Sequence, residues 1–288
     1  MCKYICYLAN LAREIMRYCI CNEVFGDWPW EQVCDFIRGL GYEGLEVAPF
    51  TLAERAEAVS AARRRELRRS AESRGIAVVG LHWLLVKPAG LHVTHPDRDV
   101  RRRTADYFIE LVQLCADLGG SVMVIGSPKQ RNLLPGVTPG QAADFAAEVF
   151  TAALLSAERL GVTLALEALS PADTNFITTV EEAIELADRI GHPNFSVNLD
   201  MKAMSSEARR IPDVIRAAAG RFAHVQVNDP SGRGPGMGDL RYEPIFAALK
   251  QAGYDGWLSV EAFDFTPGPE ATARQSIEYL VRTAEFVK

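Results

Sequence analysis

Short apolar runs alternate with longer amphipathic stretches along nearly the whole chain. The runs are rich in β-branched side chains and bounded by glycine, proline or asparagine, which is typical of buried parallel strands. Each run precedes a stretch in which apolar residues recur at helical spacing. Eight strands are predicted, at residues 17–22, 44–47, 76–81, 121–125, 162–166, 195–199, 222–227 and 257–260.

The predicted helices lie between these strands and carry recognisable start and stop signals. Thr178 or Thr179 with Glu182 resembles a capping box, and Gly191 ends the helix that follows. The eight helical stretches are residues 31–40, 52–74, 101–118, 140–160, 179–190, 205–220, 242–253 and 270–287.

This alternation predicts an α/β fold, a (β/α)8 TIM barrel forming one domain over residues 16–288. A 288-residue chain that is 48% hydrophobic can bury such a core. An open doubly wound sheet also alternates strands and helices, but no GxGxxG motif follows the first strand. Residues 1–15 are interpreted as an N-terminal extension or a misassigned start, since Met16 lies just before the first strand.

Polar side chains end the last four predicted strands. Glu167, Asp200, Gln226 and Glu261 follow one another at separations of 33, 26 and 35 residues, close to the length of about 30 residues for one barrel unit. Acids also end strands as helix caps or loop ion pairs, and one alone would carry little weight. Four at unit spacing favour a site at the barrel mouth, where ligands of this fold bind.

Three carboxylates and one amide indicate a metal site. Their hard oxygen donors suit one divalent ion, Mn²⁺ or Mg²⁺ rather than Zn²⁺. Such an ion could bind a carbonyl and its neighbouring hydroxyl, and stabilise the enediolate formed when a proton is removed beside the carbonyl. Glu167 and Glu261 are the expected catalytic pair, because two strands separate theirs and they can flank a ligand.

Composition and charge limit the classes of partner that the protein is expected to bind. A net charge of −6 argues against a nucleic-acid surface. The sequence contains no uncharged apolar stretch of 18 residues, so no transmembrane helix is expected. The six cysteines form no CxxC pattern, so we expect reduced thiols in a cytoplasmic protein. The arginine-rich part of residues 52–74 is interleaved with glutamates, which favours a solvated helix face over an anion site.

Four segments carry a family resemblance: ICNEVFGDWPW, LALEALSPADTNF, FSVNLDMKAM and HVQVNDPSGRGPGMGDLRYEPIFAALKQAGYDGWLSVEAF. They are similar to the xylose-isomerase-like TIM barrels, and within them to the sugar phosphate isomerase/epimerase group of ketose 3-epimerases and hydroxypyruvate isomerases. The resemblance covers residues 17–288. It implies a metal-dependent isomerase or epimerase of a keto-sugar or related hydroxy-carbonyl compound, with the option of a homodimer.

The resemblance also implies roles for single residues. It places the metal ligands at Glu167, Asp200, Gln226 and Glu261, with the two glutamates as acid and base. It implies substrate contacts at His82, Asp173, His224 and Arg233. The family's histidine three residues after the aspartate is absent, because Ala203 stands there. Its neighbour Lys202 either contacts substrate or faces solvent.

Several alternatives stay open at this point. A lyase or dehydratase of an inosose or 3-keto-sugar would use the same proton abstraction. An endonuclease IV-like repair enzyme is disfavoured by Ala203 and Gln226, which replace expected histidines. A non-catalytic sugar-binding protein is a further alternative. The loop at residues 126–131 is either an anion site or a solvated basic loop, and His92 and His95 are interpreted as loop histidines.

Overall fold

The computed structural model describes residues 16–287, and in this part of the chain eight parallel strands close into a barrel in sequence order. The prediction of a single (β/α)8 barrel is confirmed, and the extension at residues 1–15 lies outside the described residues. The strands are β1 Arg17–Cys21, β2 Gly44–Val47, β3 Ala77–Leu81, β4 Val122–Ile125, β5 Thr163–Glu167, β6 Phe195–Asp200, β7 Phe222–Val227 and β8 Trp257–Val260.

Helices surround the barrel and fill the connections between strands. They are α1 Trp30–Leu40, α2 Ala61–Ser73, α3 Arg98–Leu118, α4 Pro139–Leu160, α5 Val180–Ile190, α6 Met201–Met204, α7 Ile211–Ala217, α8 Glu243–Gln251 and α9 Pro269–Glu285. Their apolar faces pack on the strands through large buried side chains such as Phe108, Phe150 and Phe246. None of the described helices is long and apolar enough to cross a membrane.

Two predicted helices differ from the structure. The stretch 52–74 contains a short 3₁₀ helix at Ala56–Ala58, and it is α-helical only in α2. Ser60 begins that helix by accepting a hydrogen bond from the Arg63 backbone N–H. The stretch 205–220 contains only α7, and the short α6 lies before it. Asp200 caps α6 by accepting from the Ala203 backbone N–H at 2.7 Å.

The barrel interior becomes more polar towards the carboxyl ends of the strands. Its lower layer is the apolar cluster of Cys19, Val79, Val122 and Ala165. Since every second strand residue faces inward, the next layers come from residues two and four positions further on. These upper layers contain the buried polar residues Glu46, Asn198, His224, Gln226, Ser259, Glu167 and Asp200.

Small residues occupy tightly packed positions in the strands and in the helices around them. Cys19, Cys21, Cys34 and Cys115 are buried free cysteines. Gly80 on β3 lies opposite Val122 on β4, and a Cβ at Gly80 would lie 2.1 Å from the Val122 carbonyl oxygen. The close approach of these strands therefore requires glycine.

We expect Gly80→Ala to destabilise the protein by about 2–3 kcal/mol, because the methyl group must push two paired strands apart. A urea or thermal unfolding curve measures the loss. The matched control is Gly39→Ala in α1, where an added Cβ has nothing within 4 Å. Helix propensity should make that variant neutral or more stable by about 0.5–1 kcal/mol. Equal stability of the two variants would contradict the register of β3 and β4.

Candidate active site

Four strand-end side chains line one cavity of about 180 Å³ at the barrel mouth. Glu167 ends β5, Asp200 ends β6, Gln226 lies near the end of β7, and Glu261 follows β8. All four are buried, at 6%, 3%, 0% and 4% relative exposure respectively. The structure thus brings together the four residues that the sequence spacing singled out.

Glu167 is fixed by the loop after β4. The Arg131 guanidinium donates from Nη1 to the Glu167 carbonyl oxygen at 2.6 Å, and its side chain is buried. Gly126 leaves room for the carboxylate, since a Cβ there would lie 1.9 Å from Glu167 Oε2. This loop is therefore not simply solvated, because its arginine is packed inside the barrel mouth.

Asp200 has a double role in the local structure. Its Oδ1 caps α6, while its Oδ2 accepts a hydrogen bond from Asn228 Nδ2 at 2.5 Å. Asn228 in turn accepts from the Lys202 backbone N–H at 2.7 Å. The interpretation of strand-end acids as helix caps thus holds for this residue, and the cap also keeps its carboxylate at the cavity.

Glu261 belongs to a buried chain of charged groups. His82 Nδ1 lies 3.3 Å from Glu261 Oε1, and His82 Nε2 lies 2.8 Å from Glu23 Oε2. Donor atoms of Cys21, Glu23, His82 and Glu261 lie within 4.8 Å of one another, a grouping that could hold a metal ion. Glu261 Oε2 has no hydrogen-bond partner among the described residues, so this oxygen remains available for a ligand.

The carboxylates of this mouth repel one another. Burial, reinforced by Asp200 and Glu261, raises the pKa of Glu167 well above its ordinary value. Burial raises the pKa of Asp200 to about 6 and, with Asp200 nearby, that of Glu261 to about 8 although His82 opposes the rise. Burial alone would lower the pKa of His82, but Cys21 and Glu23 raise it well above its usual range.

The cavity rim carries an ion pair and two aromatic rings. Lys202 Nζ donates to Asp173 Oδ2 at 3.3 Å and lies 5.0 Å from the Phe263 ring centroid. Trp83 packs edge-on against Phe263 at 6.2 Å and has a backbone φ of +52°, which is unusual for a bulky residue. Lys202 and Asp173 both line the cavity, as does His82.

Arg233 and His224 were expected to contact substrate, but neither is among the described residues that line this cavity. Arg233 donates from Nε to Asp264 Oδ2 at 2.8 Å, which holds it in the loop after β7. His224 lies one interior layer below Gln226, because it precedes Gln226 by two residues, and its Nε2 is 2.8 Å from Glu46 Oε2. His92 contacts His95 in the loop after β3, as expected for loop histidines.

Sequence reasoning missed the polar groups below and beside the mouth. Glu46 and Asn198 are fully or almost fully buried and hydrogen-bond to the Gln226 amide, while Glu23 contacts His82. A charged residue at an inward-facing position of the apolar strand Gly44-Leu-Glu-Val47 was a usable signal for Glu46. Glu23 had none, because it lies in a 3₁₀ turn that the strand pattern does not describe.

A closed parallel barrel with buried acids around a cavity at the carboxyl ends of its strands defines a TIM-barrel protein with a candidate ligand site where ligands of this fold bind. The sequence model of the xylose isomerase-like TIM barrel family matches residues 34–283. The chain therefore belongs to the xylose isomerase-like TIM barrel family.

Relatives of the chain are named as a hydroxypyruvate isomerase and as ketose 3-epimerases. The chain is 30% identical to a putative hydroxypyruvate isomerase of Streptomyces coelicolor over 225 residues, 74% of this chain and 77% of the relative. It is 25% identical to a D-psicose 3-epimerase of Ruminiclostridium cellulolyticum over 246 residues, 82% and 81% of the two chains. A crystal structure of D-psicose 3-epimerase with D-tagatose from Clostridium cellulolyticum H10 has the same fold, with a TM-score of 0.80 at 20% identity over 95% and 100% of the chains.

The raised carboxyl pKa values predict the pH dependence of the metal-free protein. Between the ordinary glutamate pKa of 4.5 and about 8, Glu261 holds a proton in the folded state that the unfolded chain has released. Stability therefore falls as pH rises through this window. We expect the melting temperature in chelator to drop by several degrees, at about 2–4 °C per kcal/mol. Calorimetry of Glu261→Gln should show a smaller fall of the melting temperature with pH. A wild-type melting temperature that rises with pH would contradict the raised pKa of Glu261.

Proposed function

We propose that this protein is a divalent-metal-dependent isomerase or epimerase of a keto-sugar or related hydroxy-carbonyl compound. The observation that carries the proposal is the set of oxygen donors from Glu167, Asp200, Gln226 and Glu261 around one cavity. The names of the relatives support the same class of reaction. The proposal goes beyond those names in assigning the reaction to these side chains.

The donors fit a divalent ion on two grounds. Glu261 Oε2 is buried without a hydrogen-bond partner among the described residues, and three crowded carboxylates need positive charge nearby. Four hard oxygen donors suit Mn²⁺ or Mg²⁺. The neighbouring group with Cys21 and His82 suits an ion less well, since His82 already lies between two carboxylates as their counter-charge. When bound, the ion would withdraw electron density from the substrate carbonyl and would bind two oxygens of the substrate.

In the proposed mechanism, one glutamate removes the proton beside the substrate carbonyl and the other returns it. Glu167 and Glu261 come from β5 and from the end of β8, so they can face the reacting carbon from different sides. His82 binds Oε1 of Glu261, and Oε2 is left without a hydrogen-bond partner among the described residues. Arg131 holds the backbone of Glu167, which keeps that carboxylate oriented. Burial of both acids excludes water from the proton transfer.

The cavity also suits a polyhydroxylated substrate. The Lys202–Asp173 pair offers a donor and an acceptor side by side at the rim, a geometry that matches neighbouring hydroxyl groups. Trp83 and Phe263 add an apolar surface to the lining of the same cavity, and the C–H face of a sugar can pack there. A structural neighbour was solved with the ketose D-tagatose, which supports the choice of ketoses as first test compounds.

The reaction is tested by hydrogen exchange at carbon. Chelator-stripped protein is reloaded with Mn²⁺ and incubated in D₂O with a panel of ketoses and keto-glycosides, and NMR measures deuterium beside the carbonyl. We expect exchange with at least one compound. Glu167→Gln and Glu261→Gln should each lower its rate by about 10²–10⁴-fold, the usual contribution of a positioned acid or base.

Other outcomes would overturn the proposal in distinct ways. Exchange that survives thorough chelation removes the metal from the reaction. A product that has lost water identifies a lyase or dehydratase with the same first step. Saturable binding of a sugar, unaltered in Glu167→Gln and without any exchange, identifies a sugar-binding protein.

The Lys202–Asp173 ion pair predicts how a Lys202 variant binds the ketose or keto-glycoside that shows exchange. Lys202→Met keeps the length of the side chain and its packing on Phe263 but removes the ammonium donor. We expect KM to rise about 10–100-fold, the cost of losing a charge-assisted hydrogen bond, with kcat changed much less. Lys129→Met, on the exposed part of the loop after β4, is the control and should leave KM unchanged. A fall confined to kcat would exclude Lys202 from substrate binding.

A further inference from the structure

A buried polar network below the cavity surrounds the side chain of Gln226. Its Oε1 accepts a hydrogen bond from Asn198 Nδ2 at 2.8 Å, and its Nε2 donates to Glu46 Oε1 at 3.2 Å. The second oxygen of Glu46 lies 2.8 Å from His224 Nε2. All four residues are at most 1% exposed, so no solvent competes for these bonds.

An amide side chain has an orientation problem that a carboxylate does not have. The oxygen and the NH₂ group of glutamine have nearly the same shape, but only the oxygen can bind a cation. The pair of Asn198 and Gln226 does not decide between the two orientations. If both amides turned over, Asn198 Oδ1 would accept from Gln226 Nε2 and the bond would be kept with its roles reversed. Asn198 Oδ1 has no partner among the described residues, so it is available for this reversed bond.

Glu46 removes this ambiguity because a carboxylate offers only acceptors. One of its oxygens meets the Gln226 amide, and only the NH₂ end can donate to it. Its other oxygen is engaged by His224, which comes from the same strand as Gln226 and prevents Glu46 from turning away. The Gln226 oxygen is left on the side of β6, the strand that carries Asn198 and Asp200.

We propose that Glu46 is a positioning residue that fixes the Gln226 amide with its oxygen towards the divalent ion, and that His224 supports it in this role. This inference rests on the proposed function, because it assigns Gln226 to the ion. It gives His224 a role one layer below the substrate. A partner of this kind typically contributes 10–100-fold to metal affinity.

The test is a double-mutant cycle on metal affinity. Mn²⁺ dissociation constants are measured by calorimetry on the chelator-stripped wild type, Glu46→Gln, Gln226→His and the double variant. Glu46→Gln has the same shape but can donate as well as accept, so it permits both amide orientations. We expect it to raise the Kd about 10–100-fold.

The Gln226→His background separates orientation from charge and packing. An imidazole can donate from one ring nitrogen either to the Glu46 carboxylate or to the amide oxygen that replaces it in Glu46→Gln. Its other nitrogen then faces the ion, so the amide ambiguity is gone. The factor by which Glu46→Gln raises the Kd should therefore be at least about fivefold smaller in this background. Melting temperatures of the four metal-free proteins show whether each variant is folded.

The outcomes are distinguishable. If Glu46→Gln raises the Kd by factors that agree within about twofold in both backgrounds, Glu46 acts through its charge or its packing and the positioning role is wrong. The role is also wrong if wild type and Glu46→Gln bind Mn²⁺ equally. If the wild type binds no Mn²⁺, the proposed function fails, and the positioning role fails with it.

Discussion

Mutual repulsion among three buried carboxylates is the constraint on which the rest of this site depends. A parallel barrel brings the carboxyl ends of its strands to one face, and this chain places an acid at three of the last four of them. Burial weakens screening, so each acid raises the free energy of ionising the others. Several neighbouring groups offset the negative charge of these carboxylates. His82 lies between Glu261 and Glu23, Asn228 and a helix N-terminus bind Asp200, and Arg131 lies beside Glu167.

The fold could be predicted from the sequence because strand and helix periods are local properties. The eight apolar runs and their glycine-bounded helices define the barrel order, since consecutive units must lie side by side. The two wrong helix predictions lie where a single capping side chain, and not the apolar spacing, determines where a helix begins. Ser60 begins α2 later than the apolar spacing indicates. Asp200 starts the short α6 before the predicted helix at residues 205–220, and of that stretch only α7 is helical.

The site could be predicted only as far as chain position determines it. Glu167, Asp200, Gln226 and Glu261 share a mouth because each occupies the same place in its unit. Contacts between distant units carry no such signal. The pairing of Glu46 on β2 with His224 and Gln226 on β7 crosses the barrel interior, and the seating of Arg233 against Asp264 depends on two loops. Depth along a strand explains why His224 lies under the cavity instead of lining it.

The hydrogen bonds of Asp200 couple two properties of the molecule that would otherwise vary independently. One carboxylate holds the first turn of α6 and, through Asn228, the backbone of Lys202 at the rim. The floor and the rim of the cavity therefore share one anchor. Under the proposed function, a change of the Lys202 side chain would alter substrate binding alone, whereas any change at position 200 would alter binding and reactivity together.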